Sequence, residues 1–127
     1  MAVSIPTFAS SYDNGSHVRY TVRVVTLDAR WAVVRRFRQF RELHLFMCHT
    51  YGAAASTLSF PSRKLFGSAS DSCARDRQRQ LQHYLTELFK RCSAMPNCPL
   101  FRRPYRESVI DFARFFEPLP DESVPDE

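Results

Sequence analysis

Between His17 and Phe40 the chain changes its period once, and that change restricts the fold more than any other feature. Val18, Tyr20, Val22 and Val24 alternate with His17, Arg19, Thr21 and Arg23, the two-residue repeat of a half-buried strand. "LDARW" then supplies a turn and "WAVVRRF" reads as a second strand, so the pair predicts a hairpin. From Phe40 the apolar positions move to helical spacing through Leu43, His44, Met47 and Tyr51, with Gly52 as a stop. A weaker strand is expected at "VSIPTF", where Pro6 is tolerated at an edge or a bulge. Together these segments predict a small antiparallel sheet of three strands followed by helices.

Downstream, "AAASTLSFPSRKLFGSAS" is too polar and broken for a regular element and is expected to be a long loop. A second amphipathic helix places Leu81, Tyr84, Leu85, Leu88 and Phe89 on one face, with Arg75, Arg77 and Arg79 in its first turns. Arginine there opposes the helix dipole, a local expense that suggests a use. Pro96 and Pro99 break the chain, and Pro104 opens a third helix at its first position. Val109, Phe112, Ala113 and Phe116 form the apolar face of that helix.

Charge is distributed unevenly. The net charge of +5 hides an acidic end, because residues 117–127, "EPLPDESVPDE", carry five acidic residues and no basic one. Residues 1–116 therefore hold 18 basic groups against eight acidic, a net of +10, and 16 of the 18 are arginine. A planar guanidinium that donates two parallel hydrogen bonds suits phosphate oxygens better than an ammonium does. A phosphate-bearing anionic partner is the expectation. The proline-rich acidic end is expected to be a mobile tail, leaving 1–116 as one domain.

The cations concentrate in "VVRRFRQF", Val33 to Phe40, where a strand ends and a helix begins. The first turn of a helix exposes unpaired N–H groups and the positive end of its dipole, which favours an anion. Arg36 and Arg38 are placed to address the same oxygens. Arg35, one residue along the strand, must face the other way and is expected to be solvated or ion-paired. His44 on an apolar helix face is read as a satisfied core histidine, and His83 as a surface one.

Several function classes are excluded or disfavoured. No run reaches the roughly 18 apolar residues of a transmembrane helix, and the N-terminus lacks the pattern of a signal peptide, which predicts a cytoplasmic protein. Cys48, Cys73, Cys92 and Cys98 and the four histidines show no metal-binding spacing, so no metal or cofactor is expected and the thiols are read as reduced and mostly structural. GxSxG, P-loop and HExxH motifs are absent, so no catalysis is expected. An RNA-binding domain is the rival reading, but the glycine-and-aromatic signature of the sheet-based RNA binders is missing.

"RRFRQF", "FPSRKLFG" and "RQRQLQHYL", in that order after a hairpin, resemble the phox homology (PX) domain, over residues 3 to 116. The "FPSRKLFG" loop is most similar to the PX domain at the tail of endosomal kinesins. The resemblance implies an α+β fold, with a small three-stranded antiparallel sheet packed on a bundle of three to four helices. It also implies a module that binds phosphatidylinositol 3-phosphate and brings its host protein to early endosome membranes as a peripheral protein. By the same resemblance Arg36 and Arg38 bind the 3-phosphate, Phe37 lies against the inositol ring, and Arg77 meets the 4- and 5-hydroxyls. Arg63 and Lys64 are the candidates for the 1-phosphate, and which of the two faces the lipid stays open. Phe37 stands where tyrosine is common, and Ser59 and Phe60 precede Pro61 where more prolines are usual. Leu65 and Phe66 are either loop anchors in the core or an apolar wedge for the bilayer, and the resemblance favours the wedge. A PX domain working mainly through protein contacts is the remaining alternative.

Overall fold

A computed structural model of the chain describes residues 1–11, 17–63 and 70–120. Three strands, β1 (Ala2–Ser11), β2 (His17–Val25) and β3 (Arg30–Arg36), form one antiparallel sheet in the order β1-β2-β3. The four-residue link Thr26–Ala29 sets the hairpin register, so that Val25 faces Arg30 and Arg19 faces Arg36. In β1 the register shifts between Ser4 and Thr7, which places Pro6 at an irregularity of an edge strand, as its missing N–H requires.

β3 passes into α1 (Phe37–Tyr51) with no intervening loop. Arg36 is both the last strand residue and the helix cap, and its backbone N–H donates to Gln39 Oε1 at 2.8 Å. Gly52 ends the helix at φ +59°, a left-handed conformation that side chains rarely adopt. The segment expected to be loop throughout begins with a short helix instead, α2 (Ala53–Ser56), because its three alanines have high helix propensity.

The long helix α3 (Asp71–Ser93) packs against β1. Its start corrects the sequence expectation. Ser70 caps it by accepting from Cys73 N–H and Asp71 occupies the first turn, so Arg75, Arg77 and Arg79 lie beyond the turn where cations oppose the dipole. Leu81, Tyr84, Leu85 and Leu88 are completely buried, each worth roughly 1.5–3 kcal/mol in removed apolar surface. Gln82 Oε1 accepts from Ile5 N–H at 2.7 Å and Gln78 Nε2 donates to Ile5 O at 2.7 Å, so α3 also satisfies the free edge of β1.

The last helix also departs from expectation. α4 (Arg106–Phe112) starts two residues after Pro104, where Asp28 of the β2–β3 turn accepts from Arg106 N–H at 2.9 Å. That hydrogen bond, together with one from the Thr26 hydroxyl, holds the Asp28 carboxyl below its ordinary range. Ala113 is extended and interrupts the predicted helix, and a 3₁₀ turn, Arg114–Phe116, follows. Val109, Phe112, Ala113 and Phe116 are nevertheless all buried.

Arg35 is the chief correction on the core side. It is 3% exposed, with Nε donating to Phe115 O at 2.8 Å and Nη2 to Glu117 O at 2.7 Å, beside the Phe115 ring. With Trp31 Nε1 donating to Phe116 O at 2.7 Å, it ties the end of the fold to β3. Parity forced Arg35 inward, and the carbonyls of a distant segment made that placement tolerable. Glu117, the first residue of the expected tail, takes part in this contact, while residues 121–127 lie outside the described residues.

Arg35→Ala should lower stability by about 2–4 kcal/mol, because charge-assisted hydrogen bonds to the carbonyls of Val34, Phe115 and Glu117 are lost and buried oxygens are left without their donor. Thermal unfolding checks this, with a fall in melting temperature of roughly 10 °C expected.

Candidate functional site

The site forms where β3, α1, the segment before the loop and α3 meet. Arg36 emerges from the sheet face opposite Arg35, half-buried, and its Nη2 lies 2.9 Å from His17 Nδ1. A neutral imidazole nitrogen there accepts from the guanidinium without neutralising its charge. No carboxylate pairs with Arg36 among the described residues, and no acidic residue occupies the first turn of α1. Positive charge and free N–H groups are thus left together.

Phe37, the first residue of α1, is half-buried between two partners. The Arg77 guanidinium carbon stands 3.8 Å from the centre of its ring, and the Phe60 ring stacks at 5.8 Å and 25°. Arg77 is 8% exposed, an unusual degree of burial for a cation, and stacking on a ring offsets part of the lost hydration. The Arg77 charge also reaches Tyr20, whose hydroxyl is buried without a hydrogen-bond partner among the described residues; burial pushes its pKa up to about 12 while Arg77 opposes the rise.

Behind Phe60 the rings continue. His44 stacks on Phe60 at 4.7 Å and 2°, and Tyr84 meets both rings edge-on. His44 Nδ1 lies 2.9 Å from Tyr84 Oη, so the expectation of a satisfied core histidine holds, and His83 is exposed as expected. Pro61 is buried next to this column, which anchors the start of the loop that carries Arg63.

The remaining candidates are less constrained. Arg38 is exposed and only 3.7 Å from Glu42 Oε1 on the helix surface, a pair of small worth, so in this structure it does not join Arg36. Arg63 is exposed. Lys64, Leu65 and Phe66 lie outside the described residues, and with them the choice between wedge and anchor. Arg79 pairs with Asp76 at 2.6 Å and Arg75 is exposed.

Sequence reasoning missed three participants: His17, Arg19 and Phe60. The register makes Arg19 the direct cross-strand partner of Arg36, and like charges opposite each other destabilise a sheet in the absence of an anion. The turn length carried that signal, since a four-residue link between Val25 and Arg30 determines every pair behind it. Phe60 had no such signal, because its contact depends on how the loop folds back.

The family pattern described as PX domain matches residues 24–103, well over half of the chain. The chain belongs to the PX domain family. Kinesin-like protein Klp98A of Drosophila melanogaster is 40% identical over 121 residues, covering 91% of this chain and 10% of that protein. Kinesin-like protein KIF16B of Mus musculus is 29% identical over the same length, covering 91% and 9%. This PX domain thus spans about a tenth of the length of these relatives. A designed CISK-PX domain solved by X-ray diffraction superposes with a TM-score of 0.64 at 26% identity, covering 90% of this chain and 99% of that one. The mouse SNX19 PX domain superposes with a TM-score of 0.50 at 19% identity, over 88% and 93%, a likeness of fold. PX domains are lipid-binding, non-catalytic modules, with phosphoinositide binding and endosome targeting as their general function. The α+β fold expected from the sequence, three antiparallel strands on a helical bundle, is the one observed. No described helix is long and apolar enough to cross a membrane.

Burial lowers the pKa of His44, so the folded protein favours its neutral form. The unfolded chain then binds the proton more readily, and this contribution to stability is full above the ordinary pKa near 6.5 and declines as pH falls below it. Urea unfolding at pH 7.5 and 5.0 should show a loss of stability on acidification that is smaller in His44→Gln.

Proposed function

We propose that this PX domain recognises phosphatidylinositol 3-phosphate and uses it to hold a host protein on early endosome membranes. The observation that carries this reading is Arg36: a half-buried guanidinium at the junction of β3 and α1, held by a neutral acceptor and paired with no described carboxylate. A dianionic phosphate supplies the missing counter-charge and also relieves the Arg19–Arg36 juxtaposition. Phe37 and the buried Arg77 lie beside it and suit the remainder of an inositol ring: an apolar face and a donor for hydroxyl oxygens. Because the Arg77 guanidinium lies 3.8 Å over the Phe37 ring and the Phe60 ring stacks 5.8 Å from it, Phe37 meets inositol in this reading by Arg77 swinging toward the ligand or by the sugar reaching the ring edge. Arg63, with Lys64, serves the 1-phosphate in this reading, and Arg38 joins the 3-phosphate by releasing Glu42. Residues 1–116 form the lipid-binding domain in this reading, followed by the acidic, proline-rich tail 117–127.

The RNA-binding alternative fits the structure less well. The sheet face away from the helices carries no phenylalanine, tyrosine or tryptophan in its three strands, so bases have nothing to stack on there.

Arg36→Ala should abolish detectable binding to liposomes containing phosphatidylinositol 3-phosphate with the fold intact, since losing a desolvated guanidinium–phosphate contact costs about 2–5 kcal/mol. The unmodified domain should bind that lipid more tightly than the 4-phosphate or the 4,5-bisphosphate at physiological salt. Equal binding of all three, or normal binding by the folded variant, would point to a diffuse basic surface instead.

Leu65 and Phe66 are proposed to enter the acyl boundary, where each contributes up to about 1.5–3 kcal/mol. Leu65→Ala with Phe66→Ala should then weaken liposome binding by one or two orders of magnitude on that scale. Melting temperature and affinity for a soluble short-chain lipid should stay nearly constant. A core-anchor role predicts a fall in melting temperature.

A further inference from the structure

The helices cover only one face of the sheet. Tyr20, Val22, Val24, Trp31 and Val33 point into the core, while the opposite face carries Arg19, Arg23, Arg30 and Arg36 among small and β-branched residues. Val25 and Val34 on that face are 43% and 39% exposed. None of the three strands contains an aspartate or glutamate. Four arginines on a face about 10 Å wide and about 20 Å long along the strands form a strongly positive patch with an apolar component. Lipid headgroup binding as read above involves Arg36 and its cross-strand neighbour Arg19, and leaves Arg23 and Arg30 without a part in it.

The chain carries its own complement. Residues 121–127, "DESVPDE", hold four carboxylates, no cation and one valine. They follow directly on the segment that Arg35 ties to β3 through Phe115 O and Glu117 O, and β3 is an edge strand. Seven extended residues span up to roughly 23 Å, more than twice the width of the sheet. We propose that the arginine face of the sheet is the docking surface for residues 121–127, which pass the β3 edge and set their carboxylates against Arg23 and Arg30. The acidic segment balances the charge of the sheet face, and the phosphate pocket is left as the strongest anion site of the module. This inference is independent of which phosphoinositide the pocket selects.

The test compares amide NMR spectra of the full chain with those of a chain ending at Pro120, which retains every described element. At about 50 mM salt the shift differences should fall on residues 19–25 and 30–34, and they should fade near 0.5 M salt, where screening acts within a few ångströms. The full chain should melt about 2 °C higher at low salt only, the size expected of a few surface ion pairs. Arg23→Glu with Arg30→Glu in the full chain should reproduce the spectrum of the shortened one on the β1 and β2 side. If that variant does not fold, a peptide of residues 121–127 added to the shortened chain should produce the same salt-sensitive shifts. Differences confined to the cut, or centred on the second basic groove around Lys90, Arg102 and Arg103, would overturn the proposal.

Discussion

Two adjacent arginines in one strand must point to opposite faces, and much of this structure follows from where that parity sends them. Arg35 goes inward and survives there because backbone carbonyls of Phe115 and Glu117 receive its N–H groups. Arg36 goes outward at the place where β3 becomes α1, half-buried and held by a histidine rather than a carboxylate. One guanidinium closes the fold and its neighbour is left with charge to spare. A shift of register by one residue would exchange the two and remove both functions at once.

The candidate site is continuous with the core through a column of rings. Arg77, Phe37, Phe60, His44 and Tyr84 follow one another, bringing α3, α1 and the segment before the loop into a single packed unit. Phe37 is therefore no isolated platform awaiting a sugar. Its orientation is set by Phe60, and Phe60 is set by His44 and Tyr84, so the stiffness of the site derives from buried contacts well behind it. A phenylalanine before Pro61, where more prolines are usual in the resemblance, has in this way acquired a packing role.

α3 combines two duties that a shorter helix would divide. Its C-terminal half supplies the buried leucines and Phe89 that the sheet and α4 pack against. Its N-terminal half caps the β1 edge with Gln78 and Gln82 and carries Arg77 over Phe37. Because Ser70 and Asp71 begin the helix a turn earlier than its arginines, the N-terminal dipole is complemented by acid and Arg77 is free to be used elsewhere.

The amino-acid sequence by itself determined the elements whose signal is periodic. Alternation gave the β2–β3 hairpin, three- and four-residue spacing gave α1 and α3, and Gly52 gave a stop, because each rests on local geometry repeated over several residues. The arginines at the strand-to-helix junction were legible for the same reason, and so was the PX resemblance that assigned them roles. Contacts between distant segments were decided only by the tertiary structure. Asp28 moves the start of α4 past Pro104, Arg35 finds carbonyls 80 and 82 residues away, and Phe60 folds back onto Phe37 and His44. In each case a polar group or a ring acquires a partner whose position depends on the packing of the whole domain, and no local pattern encodes that distance.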